Sequence, residues 1–413
     1  MSPAEMGRAA KVAAVQLAQS SAGTRRAALE AMAGALESSA DEILQVNARD
    51  VSKAVGSISD ALVDRLTLSD SRLRSMSRGL RDVAEQPDPV GELIEEWIRP
   101  NGLKIQKVRR PLGVVAVIYE ARPNVTADVA GLCLMSGNAV ILRGSSHALQ
   151  TNICVSRILR EAVAATGLPA DCVQLVEDTS REAAVELMQL KGLVDLIIPR
   201  GGPALIQAIE QNAEVPYIID GDGNCHVYVD ESADQKMATE IIVNAKTSKP
   251  SVCNAAETLL VHAGMAEDWL PAALDRLKER GVEIRGDERV REVWPEALEA
   301  TEQDWATEYL DLILAVRVVD SIADAIEHIN WWGTSNAEAI VTGDEQAART
   351  FVSRVDSGTV FVNASTRFSD GGEFGFGSEI GISTQKLHAR GPLGLRELTS
   401  GSYVVWGDGQ VRV

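Results

Sequence analysis

The chain has little cysteine, no long apolar run and a deficit of positive charge, and each shortage removes a class of function. Its five cysteines (Cys133, Cys154, Cys172, Cys225, Cys253) are scattered, and no pair has metal-ligand spacing. No metal is therefore expected. An odd number spread over 413 residues does not make a disulfide framework, so a reducing compartment is expected. No stretch of about 18 apolar residues occurs, so no membrane span is expected. The opening Met1-Ser2-Pro3-Ala4-Glu5 has no basic segment leading into an apolar one, which argues against a signal peptide and for the cytoplasm. With 40 Lys and Arg against 59 Asp and Glu, the net charge is -19. A nucleic-acid partner needs a basic face and is excluded. An anionic small molecule is not, because a local basic pocket can sit inside an acidic shell. No internal repeat or low-complexity stretch is present.

Length alone predicts two or three domains. Residues 4–56 carry alanine- and leucine-rich helical periodicity, with Thr24 placed to cap a second helix, and residues 60–83 continue it. After the breaker Gln86-Pro87-Asp88-Pro89, residues 103–110 alternate apolar and polar. That pattern predicts a strand wet on one side, either a sheet edge or an intersubunit strand, with residues 402–406 as its partner in type. From Pro111 strands and helices alternate. Strands are expected at 114–119, 139–142, 172–176 and 196–198, and helices at 126–135, 148–166, 180–190 and 203–210. This spacing predicts a doubly wound parallel sheet with right-handed crossovers, whose ligands collect at the carboxyl ends of the strands. A second α/β unit follows. The apolar runs 227–229 and 241–243 lead into it, and its strands are expected at 259–261, 282–284, 312–316, 339–341 and 359–362. Helices at 266–279, 321–330 and 345–354 complete it, and the switch between domains falls near 222–230.

The strand ends hold the candidate chemistry. Tyr119-Glu120-Ala121-Arg122-Pro123-Asn124 follows the first strand, Arg143-Gly144-Ser145-Ser146-His147 the second and Arg200-Gly201-Gly202-Pro203 the fourth. Paired glycines and an arginine at a helix start offer N–H groups and charge to an anion. The same residues also make an ordinary tight turn; arginine at two strand ends tips the reading toward a dinucleotide. Residues 363–377 form a glycine-rich loop, either for binding or merely at the surface, in which Arg367 is suited to a carboxylate or phosphate.

Cys253 stands apart from the other cysteines. It lies in Lys246-Thr247-Ser248-Lys249-Pro250-Ser251-Val252-Cys253-Asn254, just ahead of the apolar run Leu259-Leu260-Val261. Cys133, Cys154 and Cys172 have apolar company and read as small buried hydrophobes. Cys253 reads equally as such a residue or as a nucleophile, with Lys246 and Lys249 as nearby charges that would favour a thiolate. As a nucleophile on the second domain it would face a nucleotide on the first, in an interdomain site.

The Cys253 loop, residues 120–126, residues 363–372 and Ser383-Thr384-Gln385-Lys386-Leu387-His388-Ala389-Arg390-Gly391-Pro392 together resemble the gamma-glutamyl phosphate reductases (glutamate-5-semialdehyde dehydrogenases) of the aldehyde dehydrogenase superfamily. The likeness runs nearly end to end. It implies an aldehyde-dehydrogenase-like fold of two doubly wound α/β domains with a small β arm for homo-oligomerisation. A nicotinamide cofactor-binding domain would span 1–98 and 113–226, a catalytic domain 227–392, and the oligomerisation strands 99–112 and 396–413. The resemblance implies Cys253 as nucleophile and Asn124 as a holder of the oxyanion. It implies Arg143 and Glu308 on the cofactor, with NADPH preferred, beside the strand-end candidates Gly144, Ser145, Arg200, Gly201 and Gly202. Arg122, Lys246 and Arg367 are the candidates for the phosphate and carboxylate of L-glutamyl 5-phosphate. The upstream glutamate 5-kinase is a possible partner. Hydrolytic aldehyde dehydrogenases carry a glutamate base in a Glu-Leu-Gly-Gly-like turn, whereas here the turn is Gly221-Asp222-Gly223-Asn224. A thioester without that base exchanges with phosphate more readily than with water, unless Asp222 substitutes. The rival readings are a hydrolytic aldehyde dehydrogenase and a non-enzymatic scaffold for the kinase.

Overall fold

The computed structural model describes residues 1–219 and 221–412. Asp220 and Val413, which fall inside two of the expected ranges, lie outside the described residues. By its contacts the chain divides into two compact units, Met1–Ile219 with Gly375–Gly381 and Leu393–Val413, and Asp220–Phe374 with Ile382–Pro392.

Serine starts the first unit's early helices. Ser2 accepts from the Glu5 N–H and Glu5 reaches back to the Ser2 N–H, a capping box that opens α1 (Pro3–Gln19). Helix α2 (Ala22–Ser38) is capped by Ser21, whose hydroxyl accepts the Thr24 N–H at 3.0 Å. Thr24 is therefore not the cap expected of it; it sits in the first turn as the residue being capped. Helices α3 (Ala40–Ala54), α4 (Asp60–Leu66) and α5 (Asp70–Glu85) follow.

Strand β1 (Leu93–Ile98) pairs antiparallel with β2 (Lys104–Pro111), and β2 pairs with the C-terminal strand Thr399–Trp406. The last pairing is the one expected. However, β2 is the middle strand of three within the chain, not an edge, because β1 covers its other side. Strand β1 itself was not expected: Glu95-Glu96 interrupts its alternation. The readable signal was Asn101-Gly102, with Gly102 at φ +85°, a turn pair favoured in hairpins.

The first unit's parallel sheet holds β3 (Val114–Tyr119), β4 (Ala139–Arg143), β5 (Val173–Leu175) and β6 (Leu196–Arg200) in the order β5–β4–β3–β6. Every residue of β3 is buried, which its β-branched run requires when helices cover both faces. Helices α6 (Pro123–Met135), α7 (Leu149–Ala165), α8 (Arg181–Met188) and α9 (Pro203–Asn212) complete the windings. Cys133, Cys154 and Cys172 are buried among these elements. Strand order reverses between β3 and β6, so the topological switch point lies at Tyr119 and Arg200.

The second unit opens with β7 (Cys225–Val229), α10 (Gln235–Thr247), β8 (Ala256–His262), α11 (Leu270–Lys278) and β9 (Glu283–Gly286). It continues with α12 (Glu288–Val293), β10 (Leu298–Glu299), α13 (Glu302–Trp305), β11 (Ile313–Val319) and α14 (Ile322–Trp332), then β12 (Ala337–Val341), α15 (Glu345–Arg354) and β13 (Thr359–Val362). Its main sheet has seven parallel strands, in the order β10–β9–β11–β8–β7–β12–β13, and the strands Ile382–Ser383 and Gly391–Pro392 form a separate antiparallel pair. Ile241-Ile242-Val243 lies inside α10, where Ala238, Ile241, Ile242 and Ala245 make one buried helical stripe. That spacing, with Asp234 as cap, outweighs three β-branched residues. No helix among the described residues is long and apolar enough to cross a membrane.

Beneath α14 lies a polar knot. His226 and Glu338 face each other across β7 and β12, with His226 Nδ1 3.1 Å from Glu338 Oε2. His328 packs edge-on to His226 and to Trp305, and its Nδ1 lies 3.0 Å from Arg317 Nη1. A guanidinium only donates, so His328 Nδ1 accepts and the ring is neutral. Burial, then the neighbouring His226 and Arg317, pushes the His328 pKa down to about 2 from 6.5. Below 6.5 the unfolded chain binds a proton there and the folded one does not. His328 thus contributes stability that is present above 6.5 and lost as pH falls toward 2. His328→Phe should flatten the fall of unfolding free energy below about pH 6 by about 1.4 kcal/mol per pH unit. Urea unfolding of both proteins from about pH 5 to about pH 7 checks this; equal slopes would refute it.

Candidate active site

Cys253 lies between α10 and β8, hence at the amino end of the second sheet. This is the opposite end from the one where ligands of parallel sheets collect. Four of the five cysteines are buried, and Cys253 is half-buried.

Three groups of residues hold its loop. The first is the turn ahead of β7. The Cys225 thiol donates to the Cys253 carbonyl at 3.2 Å. A Cβ on Gly223 would stand 1.7 Å from that same oxygen, so only glycine fits. The Gly223 N–H donates to Glu308 Oε1 at 2.7 Å, while Asn224 Nδ2 donates to the carbonyls of Trp305 and Trp332, each at 2.8 Å. The second group acts through Asn254, whose Nδ2 donates to the Ser369 carbonyl at 2.9 Å and whose own carbonyl accepts from Thr366 Oγ1 at 2.7 Å. Asn254 thereby brings the loop of Arg367 alongside the cysteine loop, and Arg367 Nε donates to Ser248 Oγ at 3.2 Å. Thr384, from the last recognised motif, packs where a Cβ on Gly221 would fall.

The third group is Lys246 with Glu257. Nζ and Oε2 are 2.5 Å apart and neither side chain is exposed. Burial pushes the Glu257 carboxyl up and the Lys246 ammonium down, each toward its neutral form, against their mutual attraction. Lys246, expected on the substrate, is thus buried and occupied by Glu257. Its charge is cancelled by Glu257, which also removes it as a source of positive field for a thiolate. Lys249 is exposed. Asp222, the conceivable substitute base, is exposed as well.

In the first unit the candidates gather at the switch point. Asn124, in the first turn of α6, donates from Nδ2 to Asp128 Oδ2 at 2.9 Å. Burial pushes the Asp128 pKa up to about 6, opposed by that hydrogen bond and by Arg200. Arg122 caps the same helix, and its N–H donates to the Glu120 carbonyl. Glu120 Oε1 accepts the Gly202 N–H at 3.0 Å, and a Cβ on Gly201 would collide with the same carboxylate. The anion seat expected at Gly201 and Gly202 is thus filled by the chain's own carboxylate. At the end of β4, Arg143 Nη2 donates to the carbonyls of Thr179 and Ser180, at 2.7 and 3.2 Å. Gly144, next to it, leaves room for Asn152, whose Nδ2 would meet an added Cβ at 2.1 Å. Ser145 caps the short helix Ser146–Ala148 by accepting the His147 N–H.

A sequence model of the aldehyde dehydrogenase family matches residues 4–291. The gamma-glutamyl phosphate reductase of Caldanaerobacter subterraneus is 55% identical over 404 residues, 98% of each chain. That of Moorella thermoacetica is 56% identical over 98% of this chain and 97% of its own. The chain belongs to the aldehyde dehydrogenase family, among its gamma-glutamyl phosphate reductases. The crystal structure of the gamma-glutamyl phosphate reductase from Thermotoga maritima superposes with a TM-score of 0.97 at 46% identity, covering all of both chains.

Set against this family, the donor set of the first unit suits an anionic dinucleotide. Arg143 Nε and Asn152 Nδ2, the latter against Gly144, are both buried without a partner among the described residues. Among the described residues no group of three His, Cys, Asp or Glu could hold a metal. Four residues that shape these loops were not singled out as candidates in the sequence: Glu257, Asn254, Cys225 and Glu120. Only Glu257 gave a signal, an acid at the head of an apolar strand, which needs a buried partner. Lys246→Met should destabilise the protein by about 3–5 kcal/mol by stranding Glu257 unpaired. Adding Glu257→Leu should restore most of that loss in urea unfolding. A single variant as stable as the parent would show that the pair does not matter.

Proposed function

We propose that this chain catalyses the NADPH-dependent reduction of L-glutamyl 5-phosphate to L-glutamate 5-semialdehyde and phosphate, the second step of proline biosynthesis from glutamate. The observation that carries this is the identity of more than half the residues with gamma-glutamyl phosphate reductases over 98% of the chain. It is supported by a half-buried Cys253 braced by three sets of contacts.

In this reading the Cys253 thiolate attacks the acyl carbon. The Cys253 N–H and the Asn124 amide hold the developing oxyanion, on the order of 3 kcal/mol per donor. A carboxamide carries two N–H groups, and Asp128 accepts one. Phosphate leaves with the electron pair of the acyl–oxygen bond and needs no strong acid. Bound NADPH supplies the hydride that reduces the resulting thioester. Arg143, Ser145 and Glu308 are the residues this reading gives to the cofactor. Arg122 and Arg367 are those it gives to the substrate's anionic groups.

The reading extends to a homo-oligomer built on the three-stranded sheet, whose Ile98, Tyr403, Val405 and Trp406 are exposed. It extends also to contact with glutamate 5-kinase, whose product is a labile acyl phosphate, and to the reducing cytoplasm, where Cys253 stays a thiol.

Semialdehyde-dependent reduction of NADP⁺ should require inorganic phosphate. Activity without phosphate would mean that water takes the acyl group, and the hydrolytic reading would replace this one. Cys253→Ala should lose turnover by several orders of magnitude while still binding NADPH, seen by fluorescence titration. Asn124→Ala should lower kcat by about 100-fold or more.

A further inference from the structure

We propose that Cys225 is a positioning residue whose S–H, donated to the main-chain carbonyl of Cys253, fixes the backbone from which the nucleophile projects. This rests on the reading of Cys253 given above.

The geometry is local and redundant. Cys225 opens β7 and is fully buried, so no water competes for its sulfur. Its Sγ lies 3.2 Å from Cys253 O, well placed for a thiol donor. Its own N–H is turned back to the Gly223 carbonyl at 2.8 Å, which holds Cys225 in the turn that abuts Cys253. The ladder behind it is irregular: Cys225 pairs with Ala256 but His226 with Thr258, so Glu257 is an extra residue in β8. Bulges locally disrupt a ladder and re-aim side chains. Here the extra residue turns Glu257 toward Lys246. The thiol supplies a bond to the loop just before this break. Burial, with Glu338 and Cys253 nearby, holds the Cys225 pKa well above the usual thiol range, so the group remains a donor. Gly223 completes the arrangement, because the Cys253 carbonyl occupies the place of its missing Cβ.

The competing explanation is that Cys225 merely fills space. Valine removes the donor but is somewhat bulkier than cysteine, whereas serine keeps a donor at a smaller volume; alanine, close to serine in volume but without a donor, should match valine and so separates the bond from the packing. The phosphate-dependent reaction with semialdehyde and NADP⁺ should show kcat about five-fold lower in Cys225→Val, the worth of one neutral hydrogen bond. Both KM values should stay within about two-fold, because the contact serves the reacting group and not binding. Cys225→Ser should recover most of the loss. A second readout needs neither cofactor nor natural substrate: acylation of Cys253 by p-nitrophenyl acetate, followed as a nitrophenolate burst that is absent in Cys253→Ser. That burst should slow by a similar factor in Cys225→Val and recover in Cys225→Ser. Normal kcat and burst rate in Cys225→Val would overturn the proposal, as would equal impairment of the serine and valine variants. If Cys253→Ala kept its turnover, the catalytic reading would fall. The burst would still report whether Cys225 positions Cys253.

Discussion

Lys246 and Glu257 meet at 2.5 Å, both out of reach of water, at the two ends of the loop that carries Cys253. One lies in the last turn of α10 and the other is the second residue of β8, so their contact closes residues 248–255 into a short, fixed arch. The remaining oxygen of Glu257 accepts the Leu310 N–H at 3.2 Å, with Leu310 itself at φ +54°. Two residues before it, Glu308 takes the Gly223 N–H, and Gly223 lies against the Cys253 carbonyl. The contacts thus run from the ion pair around to the nucleophile. Withdrawing two charges from water is costly, and an apolar pair of similar volume is often at least as stable. What the pair adds is directional: both oxygens of one carboxylate tie the cysteine loop to the Glu308 loop.

The candidate residues lie at the carboxyl end of one sheet and the amino end of the other. In the first unit the candidates lie at the carboxyl ends of β3 and β6, where strand order reverses and a crevice forms. In the second unit Cys253 precedes its strand and follows the C-terminus of α10, which carries the negative end of a helix dipole. With Lys246 neutralised by Glu257, the loop has neither the helix end nor the lysine to favour an anion. The corresponding carboxyl-end switch point, between β7 and β12, is closed by Asp230, which accepts hydrogen bonds from Tyr228, Ser232 and Thr342. That carboxyl end is filled with satisfied polar groups, and Cys253 lies at the other end of the same sheet.

Much of this was legible beforehand, for identifiable reasons. Strands buried on both faces appear as β-branched runs, and β3, β4, β8 and β12 were found that way. Ile241-Ile242-Val243, also three β-branched residues in a row, instead belongs to a helical stripe. Strand β1 was hidden because it is exposed along most of its length, so no buried face shapes its sequence. Among the candidates, Cys253 and Arg367 could be singled out because each lies in a polar or glycine-rich turn, and Asn124 only through the family resemblance. Lys246 lies in such a neighbourhood too, but its burial depends on a glutamate eleven residues later entering the same core. The filling of the Gly202 seat depends on a carboxylate 82 residues earlier. Contacts of that range leave no local pattern.

That seat bears on how a chain of net charge -19 can receive phosphorylated molecules. A helix N-terminus favours one anion, through its N–H groups and its dipole. At α9 Glu120 already supplies that anion, so these amides hold the turn in shape and offer little to a phosphate unless Glu120 swings away. Arg143 is in the opposite condition. Its Nη2 is taken by two carbonyls, which fix the guanidinium plane, yet Nε is buried with no partner among the described residues. Burial lowers its pKa while Asp178 raises it, and the group remains a cation held in a half-dry place. A fixed cation with an unsatisfied donor gains more from an arriving anion than a solvated one does, because its desolvation has already been met in folding. The dinucleotide reading of the first unit therefore rests more firmly on the end of β4 than on the paired glycines after β6.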